Sequence, residues 1–152
     1  MKAYKKVGEI ISLAAEFHRR LETVYRRLTD KTDKERVRML LQYLSRHERQ
    51  LHEGMKHFSA EGQQRLRETR IQYVTGDEQL ELPELDFSAE LSVNDVLSVA
   101  LEVDDRLVTF YEYVSQSAEM PSDVREMFRR LVNQQRQEKA KIVQIAEQVK
   151  NI

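Results

Sequence analysis

Four stretches of this chain carry a nearly unbroken line of apolar residues at alternating steps of three and four, and that pattern restricts its fold more than any other feature. The lines are Val7, Ile11, Ala14, His18, Leu21, Tyr25 and Leu28; Val37, Leu41, Leu44, Glu48, Leu51, Met55 and Phe58; Val93, Leu97, Ala100, Asp104, Leu107, Tyr111 and Val114; and Val124, Phe128, Leu131, Gln135, Glu138, Ile142, Ile145 and Val149. A helix returns to the same face after three or four residues, so each line is the inner face of an amphipathic helix. Four such faces bury one another most simply as an all-α four-helix bundle. Only four glycines and two prolines occur among 152 residues, so little interrupts these helices, and the length suits a single domain with a real core.

The breaks between the lines set the connectivity. Thr29 to Asp33 and Ala118 to Ser122 are short turns, which makes the first and second helices, and the third and fourth, antiparallel neighbours. Thr32 and Glu35 have the spacing of a capping box, Ser92 is a good N-cap for the third helix, and EMPSD is a helix-start signal for the fourth. Residues 59–91 connect the hairpins 1–58 and 92–152. Within this connection SAEGQQRLRETRIQYV reads as a short, weakly amphipathic helix, and QLELPELDF, alternating around Pro83, reads as extended chain. A connection this long can cross the length of a bundle.

The two hairpins resemble each other. Sliding the first helix by 86 positions lays AAEFHRRLETVYRRL on ALEVDDRLVTFYEYV with six of 15 positions identical. Sliding the second by 87 lays Val37, Arg38, Leu44, Arg49 and Gln50 on Val124, Arg125, Leu131, Arg136 and Gln137. One helical hairpin has been used twice.

Charge is unevenly spread although the net charge is −1. Residues 1–72 hold 17 Lys or Arg against 10 Asp or Glu, residues 73–119 hold 1 against 12, and the last 33 hold 7 against 4. Because no aromatic residues interleave with the basic ones, the expectation is solvated, mutually compensating helix faces and not a nucleic-acid surface. The chain has no cysteine, which excludes disulfides and cysteine-ligated metal centres. The N-terminal MKAYKKVGEIISLAAEF has a short apolar run flanked by Glu9 and Glu16 and reads as the start of the first helix, not a signal peptide. No segment reaches the roughly 20 apolar residues of a membrane span, so a cytoplasmic location is expected.

Each apolar line is broken near its middle by a polar residue: His18, Glu48, Asp104, Gln135 and, one step further, Glu138. Under the two slides His18 matches Asp104, Glu48 matches Gln135 and Leu51 matches Glu138. Midpoints of antiparallel helices meet at one level, so these side chains are expected to face one another.

The third helix reads AxExDxxLxxFY from Ala100 to Tyr111, and His18 and Asp104 each stand seven residues before a tyrosine, Tyr25 and Tyr111. This resembles the rubrerythrin and ferritin-like family, over nearly the whole chain, and the resemblance implies a ferritin-like bundle with its long crossover between the second and third helices. In that family the first and third helices each present a Glu seven residues before a Tyr, and the second and fourth each supply Glu-x-x-His, together holding two iron or manganese ions. The resemblance places the ligand positions at His18, Asp104, Glu48-x-x-Leu51 and Gln135-x-x-Glu138. Only Glu48 keeps the family's residue type. Leu51 cannot ligate, Gln135 is a weak neutral ligand, and Asp104 is one methylene shorter than Glu, so a six-ligand di-iron centre is not expected.

Three carboxylates and one imidazole remain, and burying unpaired charge costs several kcal/mol per ion. Either one divalent cation (Fe, Mn or Zn) sits among His18, Glu48, Asp104 and Glu138, or carboxyls are protonated and share hydrogen bonds with His18 and Gln135. The second alternative, a metal-free structural or interaction protein, is the leading expectation. A single-metal protein with oxidative or stress-related chemistry is the other. His47 and His52 are expected at the rim, His57 near a helix C-terminus, and Tyr25 and Tyr111 as packing residues. No nucleophile–base arrangement or glycine-rich phosphate loop occurs. Leu80, Leu82, Leu85 and Phe87 exceed what a lone extended strand can hide, which together with the uneven charge points to a homodimer.

Overall fold

The computed structural model describes residues 3–60, 64–73, 80–83, 90–117 and 120–152. The chain begins with β1 (Ala3–Lys6) and continues through α1 (Val7–Lys31), α2 (Glu35–Ala60), α3 (Gln64–Glu68), β2 (Arg70–Tyr73), α4 (Val93–Ser115) and α5 (Ser122–Lys150). The protein is thus predominantly helical, with four long helices at the predicted places. α1 lies against α2 and α4 against α5, while α2 also meets both α4 and α5. All four contribute to one apolar core, in which Phe17, Leu40, Leu44, Leu107, Phe110 and Phe128 are almost wholly buried. Phe17, Leu40 and Phe110 belong to a second buried row beside the predicted lines, because a helix packed against two neighbours buries more than a single line.

The N-terminus departs from the expectation of a continuous helix. Ala3–Lys6 pairs antiparallel with Arg70–Tyr73, in the register Ala3 with Tyr73 through Lys6 with Arg70. Of the expected helix over SAEGQQRLRETRIQYV, the described residues form the last two residues of α2 and the whole of α3, after which the chain becomes a strand. Alternation explains the strand: Ile71 and Tyr73 enter the core while Arg70 faces outward. The same pairing starts α1 without a side-chain cap, since the Val7 N–H donates to the Thr69 carbonyl at 2.9 Å and so satisfies a free helix-end donor. Gly8 permits the close approach: a Cβ there would lie 3.3 Å from the Arg67 carbonyl oxygen and from its Cβ.

At α4 the expected cap forms in full. The Ser92 hydroxyl accepts from the Asp95 N–H at 3.1 Å and the Asp95 carboxylate accepts from the Ser92 N–H at 2.9 Å, a reciprocal arrangement whose serine contributes about 1 kcal/mol. The capping box expected at Thr32 and Glu35 does not form, because α2 starts at Glu35 itself and the Thr32 hydroxyl accepts from the Lys34 N–H instead.

The crossover is described at Leu80 to Pro83, where it runs as irregular chain outside the sheet. Arg20 of α1 donates to the Leu80 carbonyl at 3.1 Å and Arg106 of α4 to the Glu81 carbonyl at 2.7 Å. Leu80 is buried in the core and Leu82 packs against it, so these two apolar residues cover their own helices. Leu85 and Phe87 lie outside the described residues.

Basic and acidic side chains meet between helices on the outer faces. Arg49 pairs with Glu22, Arg136 with Glu112 and Lys139 with Asp105, at 3.0, 2.5 and 2.6 Å. Such solvated pairs each add at most about 1 kcal/mol. Among the described residues no helix is long and apolar enough to cross a membrane.

Candidate functional site

The polar interruptions lie inside the molecule. His18 of α1 is 0% exposed, Glu48 of α2 and Asp104 of α4 are 2%, and Gln135 of α5 is 5%. Their partners follow the hairpins. His18 Nδ1 lies 2.5 Å from Glu48 Oε2, within the α1–α2 pair. Gln135 Nε2 donates to Asp104 Oδ1 at 2.8 Å, within the α4–α5 pair.

Glu138 takes part in neither hydrogen bond, although its charge helps to raise Asp104. It is half-buried at the rim, where its Oε1 accepts from the Tyr43 hydroxyl at 3.1 Å. His47 Nε2 lies 3.1 Å from the same oxygen without hydrogen-bond geometry, and its ring stacks on Tyr43 with an interplanar angle of 5°. Tyr43 was not a candidate from the sequence. Its position four residues before His47, one helical turn, is the signal that links the two. His52 is half-buried, and the side chain of His57 lies outside the described residues.

Electrostatics follows from the burial. The Asp104 carboxyl is pushed up to about 8, first by loss of water and next by the Glu48 carboxylate, against the opposing hydrogen bond from Gln135. Burial raises Tyr25 and Tyr111 well above the ordinary phenol range, and the charge of Glu48 raises both further. Tyr43 is pushed to about 12 by burial and then by Glu138. His47 is lowered, because its loss of water outweighs the attraction of Glu138 and Glu48.

Among the buried polar atoms without a hydrogen-bond partner are His18 Nε2, His47 Nε2, Asp104 Oδ2 and, two turns along α4, the Tyr111 hydroxyl. A neutral Asp104 carries its proton on one of two oxygens, and Oδ1 already accepts from Gln135. The proton therefore belongs on Oδ2.

The donor set does not fit a pair of metal ions. Leu51 offers no donor atom, Gln135 offers only a neutral amide oxygen while its Nε2 is engaged with Asp104, and His18 Nδ1 is engaged with Glu48. Among the described residues no group of three or more His, Asp or Glu side chains is arranged to hold a metal ion. What the centre does offer is two hydrogen-bonded polar pairs in a buried core. Neither known family models, nor curated proteins, nor solved structures give a match to this chain.

Proposed function

We propose that this chain is a ferritin-like, rubrerythrin-like bundle whose two-metal centre has been replaced by two hydrogen-bonded pairs, and that it works without redox chemistry as a structural or interaction protein. The observation that carries the reading is the pairing itself. His18 and Asp104 are related by the 86-residue slide and Glu48 and Gln135 by the 87-residue slide, and each hairpin joins its own two residues by a hydrogen bond. Burial follows the same offset: Ile10 and Val96, Ala14 and Ala100, Phe17 and Val103, Leu21 and Leu107, Tyr25 and Tyr111, Leu28 and Val114 are all buried. Arg20 and Arg106, also 86 apart, hold neighbouring carbonyls of the crossover. A protonated Asp104 beside the Gln135 amide is neutral, so this half of the centre needs no cation to balance it.

Anaerobic loading with Fe(II) followed by oxygen tests this reading. The expected result is no oxo-bridged absorption band and at most one tightly bound iron per chain. Two tight sites per chain would refute the replacement argument.

A second reading, one Fe, Mn or Zn ion per chain, is favoured by a specific observation: His18 Nε2 and Asp104 Oδ2 are ligand-type atoms, buried and unpartnered. Elemental analysis of untagged protein purified without chelator separates the two readings, one equivalent of a divalent metal supporting the second.

Self-association to a homodimer is part of the proposal. It rests on the uneven charge along the chain, because Leu80 and Leu82 are used within their own core. Light scattering at micromolar concentration is expected to give twice the chain mass of 18.0 kDa, and a monomer mass removes this part of the proposal.

A further inference from the structure

A groove of about 450 Å³ lies between α1 and α2, lined by Arg26 and Thr29 of the first and Gln42, Ser45 and Arg46 of the second. Spacings of three and four put each set on one face of its helix. Among the described residues no carboxylate lines this groove. The Arg26 guanidinium lies 3.6 Å from Glu22, beyond hydrogen-bond reach, and that carboxylate has a nearer partner in Arg49 at 3.0 Å. Arg46 makes no ion pair among the described residues.

Ser45 is only 8% exposed and lines the groove, yet among the described residues its hydroxyl has no hydrogen-bond partner. Burying a hydroxyl without a partner is unfavourable. The 87-residue offset between the hairpins places Val132, also buried, at the position of Ser45, and the 86-residue offset places Glu112 at that of Arg26. An apolar side chain therefore meets the packing at this place, and the hydroxyl and the cation are particular to the first hairpin. Thr29 adds no donor, because its hydroxyl already donates to the Tyr25 carbonyl at 2.8 Å. Two guanidiniums, one hydroxyl and the Gln42 amide remain as donors. Paired guanidinium N–H groups match phosphate oxygens, and two arginines balance a doubly charged anion better than a singly charged carboxylate.

Arg46 also lines a second groove, toward α5, with Tyr43, His47, Gln50 and Lys141. That one lies beside Glu138, whose Oε1 accepts from Tyr43 and stands 3.1 Å from His47, so a carboxylate opposes an anion there.

We propose that the α1–α2 groove binds a phosphate dianion, as the free ion or as a small soluble monoester, between Arg26 and Arg46 with an oxygen accepting from the Ser45 hydroxyl. Inorganic phosphate is the probe, titrated at pH 8 into the full chain at constant ionic strength and read by NMR at the arginine Nε–H groups and the Gln42 amide. Saturable shifts at Arg26, Arg46 and Gln42 are expected in the millimolar range, with acetate binding at least about tenfold more weakly. Arg26→Gln and Arg46→Gln are each expected to weaken phosphate at least about tenfold. Ser45→Ala is expected to weaken it about threefold without lowering the phosphate-free melting temperature, since the hydroxyl has no partner to lose. Lys141→Gln is expected to leave binding unchanged. Glycerol 3-phosphate binding more tightly than inorganic phosphate marks an ester as the occupant, and the reverse order marks the free ion.

Four results overturn the proposal. They are the absence of any saturable shift at millimolar phosphate, acetate binding as tightly as phosphate, and undiminished binding in both arginine variants. The fourth is binding lost in Lys141→Gln but kept in Arg26→Gln, which places the anion in the groove toward α5.

Discussion

Asp104→Asn is expected to raise stability at neutral pH and to flatten its dependence on pH. In the folded chain the Asp104 carboxyl titrates at about 8, against an ordinary value of 3.8. Between these two values the native state keeps a proton that the unfolded chain has lost. Folding stability therefore falls as pH rises through this window, by up to about 1.4 kcal/mol per pH unit, and levels off above pH 8. Asparagine is neutral throughout, so the slope disappears. Its carbonyl can accept from Gln135 as Oδ1 does, and its amide stands where the protonated Oδ2 stands. Chemical denaturation of both proteins at pH 5, 7 and 9, with and without chelator, measures the effect. The two curves should separate progressively toward pH 9, the variant being the more stable, with no response to chelator. If a cation balanced the centre, chelator would destabilise the wild type and the substitution would abolish that response. Equal destabilisation by asparagine at every pH would exclude both a neutral Asp104 and a metal.

The other large effect is expected at the His18–Glu48 pair. His18→Leu leaves the Glu48 carboxylate in a core close enough to Asp104 to raise it, with no partner at the 2.5 Å position. Breaking a buried pair in this way costs about 3–5 kcal/mol, whereas replacing both members with apolar side chains is often close to neutral. The double variant His18→Leu/Glu48→Leu is accordingly expected to recover most of the loss. Urea denaturation of the two single variants and the double gives the coupling directly. A single variant losing under about 1 kcal/mol would show that the pair carries little energy. A double variant no better than the sum of the singles would show that the two residues act independently.

The parts of the molecule legible in the sequence are those governed by local rules. The period of three and four placed His18, Glu48, Asp104 and Gln135 on inner faces, because a helix fixes the direction of each side chain from its own position alone. The Ser92 cap was legible for the same reason, its donor and acceptor being three residues apart. Glu138 sits half-buried at the edge of the inner face, where it meets Tyr43 and His47 and still adds to the charge felt by Asp104. The period missed the strand at Arg70–Tyr73. Four residues give too short a pattern to tell a strand from a helix, and their partner lies at the other end of α1 and α2.

The sequence by itself determined four long helices and their inner faces. Only the tertiary structure decided which buried polar residues bond to which. Nothing local says that His18 reaches Glu48 and Gln135 reaches Asp104, because those choices depend on how far apart the helices lie and how each is turned about its axis. The same holds for β1 and β2, whose ladder exists only once the chain has returned to its start. Periodicity is a property of one helix, whereas a hydrogen bond between helices is a property of their packing.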